Sequence, residues 1–222
     1  MIEKTAYFRE FLDFGYLWFR DNGKEIPKDY RPTRENITLW TQLNRVLPVE
    51  FFEQCPMHWL GNFLNREPLS PRTPPLVVIV ALEPGRPTKV ERRECEVGLF
   101  NRFGGVGKHL INDCSNYFGA VYGDGGLPIA GNPFWRKISR ITYRAFHANV
   151  LVNPQILEWM SGSVVQVDLW PLRSPSHGEF MKHQAKFSSA FNIGRRRAMV
   201  RELISAARPD LVLFLGDDVN GL

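Results

Sequence analysis

Apolar residues recur at helical intervals along the N-terminal third of the chain. From Lys4 to Arg20 they are Phe8, Phe11, Leu12, Tyr16 and Phe19, and the pattern continues through Asn36–Val46 and Phe51–Leu64. These stretches predict helices. Their aromatics read either as a cap packed on a main domain or as a DNA-contact module. The periodicity stops at Glu67–Pro75 (EPLSPRTPP), where proline fixes φ and removes backbone donors, so residues 1–70 are expected to form a helical extension ahead of a linker.

Beyond the linker the pattern changes. Leu76–Ala81 is a continuous, mostly β-branched run of the kind found in a strand buried on both faces of a parallel sheet. A glycine-rich stretch follows, and then Asn132-Pro133 opens an amphipathic helix reaching about Phe146. A second strand is predicted over Ser163–Leu169, a basic helix over Arg195–Ala207, and a third strand over Leu211–Leu215, closed by Gly216. Strands alternating with helices specify an α/β three-layer sandwich with a mostly parallel central sheet, here residues 76–222.

Composition narrows the choice only a little. At 222 residues and 44% apolar content, one domain and an extension fit. No apolar run is long enough to cross a bilayer, and Met1–Lys4 lacks a signal-like pattern, so the chain is read as soluble and intracellular; a monomer is expected. Cys55, Cys95 and Cys114 form no C-x-x-C pair, and the histidines lack ligand spacing, so neither a metal nor another cofactor is expected. The net charge of +5 suits a polyanionic partner such as DNA. Neither a Walker A sequence nor G-x-G-x-x-G follows the first strand.

Ligands of open parallel sheets bind where loops converge at the carboxyl ends of strands. Glu83 lies just beyond the first strand, in a turn forced by Pro84-Gly85; Asp168 closes the second. Either reads as a turn or cap residue, or as a working carboxylate. Arg173, Ser174, Ser176 and His177 follow the second strand and read as a solvated loop or as phosphate contacts. Arg195-Arg196-Arg197 reads as the wet side of a helix or as a phosphate-facing run.

Three segments carry a resemblance. Leu76–Gly85 (LVVIVALEPG) resembles the first motif of the uracil-DNA-glycosylase superfamily, a buried strand ending in patterns such as G-E-A-P-G or G-I-N-P-G. Asn132–Phe146 (NPFWRKISRITYRAF) is similar to the N-R-F-W-K helix of its mismatch-specific uracil/thymine branch. Arg195–Gly216 resembles that branch's helix, P-x-x-strand and terminal glycine.

The resemblance implies a DNA base glycosylase that flips its target nucleotide out of the duplex. It gives Glu83 the role of water-positioning carboxylate and has Pro84 and Gly85 shape the base pocket. It also implies a ring stacked on the base, for which Phe100, Phe103, Tyr117, Phe118 and Tyr122 qualify. Asp168 falls where the family has an Asn that reads the base edge. Asn donates and accepts, as uracil requires, whereas ionised Asp only accepts, which favours a modified cytosine. Family branches with an iron–sulfur cluster use four cysteines at a spacing this chain lacks. The resemblance further implies a last helix, strand and H-P-S or N-P-S loop; the sequence stops at Leu222 without them, so a truncated enzyme and a non-catalytic DNA-binding module are both expectations.

Overall fold

The computed structural model describes residues 4–23, 29–53, 56, 59–61, 75–82, 129–172, 174 and 176–215. Helix α1 (Ala6–Asp21) is opened by Thr5, whose hydroxyl accepts the Phe8 amide at 3.3 Å, satisfying one of the orphan donors of a first turn. Tyr7, Phe8, Phe11, Phe14, Leu17, Trp18 and Phe19 are all buried, with Glu10 and Asp13 among them. A helix buried almost all round belongs to a core. The carboxylate of Asp13 is held by many donors: the Tyr30 hydroxyl at 2.5 Å, the Thr33 amide and hydroxyl at 2.9 and 2.8 Å, and the Asn36 side chain at 2.8 Å. It thereby ties α1 to the start of α2 (Arg34–Val46).

The helix predicted over Phe51–Leu64 is not formed. A 3-10 turn spans Val49–Phe51, and Trp59–Leu60 forms strand β1. Pro56 removes a helical donor. Gly61 has φ +101°, and a Cβ there would collide with the Val164 carbonyl oxygen, so the close approach of this segment to the sheet requires glycine.

Among the described residues the sheet has four strands in the order β1-β3-β2-β4, where β2 is Val77–Ala81, β3 Val164–Asp168 and β4 Leu211–Phe214. As the sequence predicts, β2 is central and pairs in parallel with β3 and β4. The edge strand β1 is antiparallel to β3, which the sequence did not reveal.

Among the described residues, α3 (Pro133–Arg144) and α4 (Ile156–Ser163) come between β2 and β3. Asn132 caps α3, accepting the amides of Phe134 and Trp135 at 3.0 and 3.2 Å, and Pro133 occupies the first turn, where its missing donor is harmless. Between β3 and β4 come α5 (His177–Phe191) and α6 (Ile193–Ala207). Helices α4 and α5 are additional to the elements that the hydrophobic pattern predicts.

The two helix pairs lie on opposite faces. Val77, Ile79 and Val164 pack against Trp135, Ile138, Ile156, Trp159 and Met160 of α3 and α4. Val78, Val80, Val165, Val167 and Leu169 pack against α1, α5 and α6, and α2 extends the same cluster. Handedness accounts for this: the chain steps from β2 to β3 in one direction and from β3 past β2 to β4 in the other, so crossovers of one hand place successive helices on opposite faces.

Candidate functional site

That reversal defines a location. The described helices that follow β2 and β3 lie on opposite faces of the sheet, and the carboxyl ends of such strands are where open α/β sheets bind ligands. The ladder persists to the rim, with the Leu169 amide donating to the Ala81 carbonyl at 2.8 Å and the Trp170 amide to the Leu82 carbonyl at 2.9 Å.

Asp168 stands at this rim, fully buried and in register with Ala81. Its side chain shares the α3/α4 face with Gln166, two residues back, because successive side chains of a strand alternate between faces. The Gln166 amide nitrogen donates to Asp168 Oδ1 at 2.7 Å. Gln166 is itself buried. A carboxylate and an amide thus interrupt a strand face that is otherwise aliphatic.

The backbone of Asp168 is held from the opposite face. Its carbonyl accepts the Tyr7 hydroxyl at 2.7 Å and an Arg196 Nη2 hydrogen at 3.4 Å, while Arg196 Nε donates to the Leu169 carbonyl. Arg196 also forms an ion pair with Glu10 in which both side chains are buried, and its guanidinium lies over the Tyr7 ring with Cζ 4.6 Å from the ring centroid. The clamp satisfies charges that would be expensive to bury singly. Burial pushes the Tyr7 phenol well above its ordinary pKa, with the nearby Arg196 charge opposing, so the hydroxyl remains a donor at neutral pH.

The arginine run therefore divides. Arg196 is neither on a wet face nor facing phosphate; it is a core residue, and Tyr7, Glu10 and Gln166 join it as participants that the sequence reading missed. Arg195 is half-buried and pairs with Glu35, and with Arg34, Thr38 and Asn192 it lines an open groove of about 720 Å³ between α2 and the α5–α6 junction. Ser174 is buried. Ser176 is exposed and caps α5, accepting the Glu179 amide at 3.2 Å.

Glu83, Pro84, Gly85, Phe100, Phe103, Tyr117, Phe118, Tyr122 and Arg173 lie outside the described residues. Leu82, which precedes Glu83, is at the same rim as Asp168. No group of three or more potential metal ligands occurs among the described residues, and none of their helices is long and apolar enough to cross a membrane. The chain matches no family model, no curated protein and no solved structure.

Proposed function

We propose that the chain is a monofunctional DNA glycosylase that hydrolyses the N-glycosidic bond of a flipped-out uracil-like or modified cytosine base, in repair or in defence against phage. The observation that carries the reading is Asp168: a carboxylate wholly buried at the β2/β3 carboxyl edge, with its backbone clamped by Tyr7 and Arg196. A buried carboxylate held by a buried amide at a strand's carboxyl end is the kind of polar group that sites of chemistry gather. The helix–sheet–helix layering agrees with a uracil-DNA-glycosylase-like sandwich.

In this reading Asp168 reads the edge of the extruded base. Glu83, by its place after β2, orients the attacking water and faces the positive charge that develops as the glycosidic bond breaks. One ring among Phe100, Phe103 and Phe118 stacks on the base. Ser176, the N-cap of α5, and Arg195, in the first turn of α6, meet backbone phosphates, with Arg173 and Ser174 of the segment after β3 as the further phosphate candidates.

The test is incubation of the protein with oligonucleotides carrying uracil, thymine mismatches or modified cytosines, followed by assay for alkali-labile abasic sites. Excision of at least one is expected. Glu83→Gln should then slow single-turnover excision by roughly 10²- to 10⁴-fold with little loss of DNA binding. DNA binding without excision of any of these bases would replace the glycosylase with a non-catalytic DNA-binding module.

A further inference from the structure

Gln166 has no counterpart in the reading above, and its position calls for one. It lies on β3, flanked by β1 and β2, where a fully covered strand ordinarily carries aliphatic side chains. Its neighbours on that face are aliphatic: Ile79 is its register partner on β2, and Val164 precedes it by two. A buried primary amide there has one described hydrogen bond, Nε2 to Asp168 Oδ1 at 2.7 Å.

We propose that Gln166 is a specificity-determining residue that makes Asp168 an acceptor edge, so that the site selects a base bearing an exocyclic amino group, of the cytosine class, over a 4-keto pyrimidine. This rests on the base-reading role of Asp168 proposed above. The chemistry is directional. An amide N–H can only donate, so Oδ1 must offer it a lone pair, and any proton the carboxyl holds is kept off that oxygen. An ionised carboxylate accepts at every position. It pairs with the N4 amino group of cytosine and repels the O4 of uracil. The clamp on the other face contributes by fixing the Asp168 main chain, so that the carboxylate cannot swing away from an unsuitable base.

The experiment has two arms. In the first, oligonucleotides identical except for one deoxycytidine, 5-hydroxymethyldeoxycytidine or deoxyuridine are used to measure single-turnover excision by wild type, Gln166→Leu and Asp168→Asn. Wild type should favour an amino-bearing base over deoxyuridine by roughly 5- to 150-fold, the range of one good base-edge contact. Gln166→Leu should collapse that ratio severalfold, and Asp168→Asn should turn it towards deoxyuridine.

In the second arm, free cytosine and free uracil are titrated into isotope-labelled wild-type protein while the Gln166 side-chain amide resonance is followed. This requires neither catalysis nor a folded variant. Cytosine should shift the resonance at lower concentration than uracil. Excision that prefers deoxyuridine would overturn this inference and leave the glycosylase intact. Preferential cytosine binding without excision of any base would do the reverse. A Gln166 resonance indifferent to both bases would overturn the inference whatever the first arm shows.

Discussion

Strands β3 and β4 both pair with β2 in parallel, yet they are opposites in composition and burial. Val164–Asp168 contains an amide and a carboxylate, and all five of its residues are buried. Leu211–Phe214 is wholly apolar, and none of its four residues is fully buried; Phe214 is 41% exposed. Hydropathy alone would rank them the other way. The difference teaches that burial in this sheet follows the place of a strand, since β3 has a neighbour on each side whereas β4 pairs with β2 alone among the described strands. Polar residues kept in the better-buried strand therefore need partners, and they have them: Gln166 with Asp168 on one face, and Tyr7, Arg196 and Glu10 on the other.

The comparison breaks most visibly at Arg196. Arg196→Met should destabilise the fold by about 3–5 kcal/mol in urea unfolding, because it leaves Glu10 buried without its partner. The double variant Arg196→Met/Glu10→Leu should recover a large part of that loss. Equal destabilisation in both would mean that the guanidinium's bonds to the Asp168 and Leu169 carbonyls dominate instead.

Gly61→Ala should be next, at about 1–3 kcal/mol or more, since an L-residue at φ +101° is strained and its Cβ meets the start of β3. Thermal unfolding measures it. A neutral result would show that β1 can leave β3 without loss to the core.

Tyr7→Phe removes one hydrogen bond to the Asp168 carbonyl and should lower stability by about 1 kcal/mol at neutral pH. It should also change the alkaline limb. The folded pKa of Tyr7 lies above its ordinary value of 10.0, so its contribution is present in full below pH 10.0 and is lost as pH rises from there towards the folded value. Wild type should therefore lose stability more steeply than Tyr7→Phe above that pH.

The smallest effect is expected on the other strand. Phe214→Thr replaces an exposed apolar side chain with a β-forming polar one and should change stability by less than about 0.5–1 kcal/mol. A loss comparable to that of Gly61→Ala would show that β4 is covered in solution and would erase its contrast with β3.

Where local chemistry is strong, the sequence reading and the structure coincide. Asn132-Pro133 caps α3, the run Leu76–Ala81 gives β2, and Pro209 precedes β4. Helix α5 had a readable start as well: Ser176 and Glu179 stand three residues apart, the spacing of a capping box, and Ser176 does cap the helix. Helix α4 shows Ile156, Trp159, Met160 and Ser163 at helical intervals, but a helix of eight residues is too short for periodicity to announce. Over Phe51–Leu64 the aromatic spacing is helical, but Pro56 and Gly61 are local breakers, and Trp59–Leu60 is a strand.

Local pattern thus determined most of the described elements, because caps, proline and hydrophobic period act within a few residues along the chain. It also singled out Asp168, since a carboxylate ending an apolar strand is conspicuous in one dimension. What only the tertiary structure decided is which charges are buried and which residues serve that carboxylate. Arg196 looked like its two arginine neighbours, and Glu10 and Tyr7 like ordinary residues of an amphipathic helix. They meet at Asp168 because opposed crossovers bring α1 and α6 together over the end of β3, and contacts spanning 161 and 186 residues leave no periodic trace in the sequence.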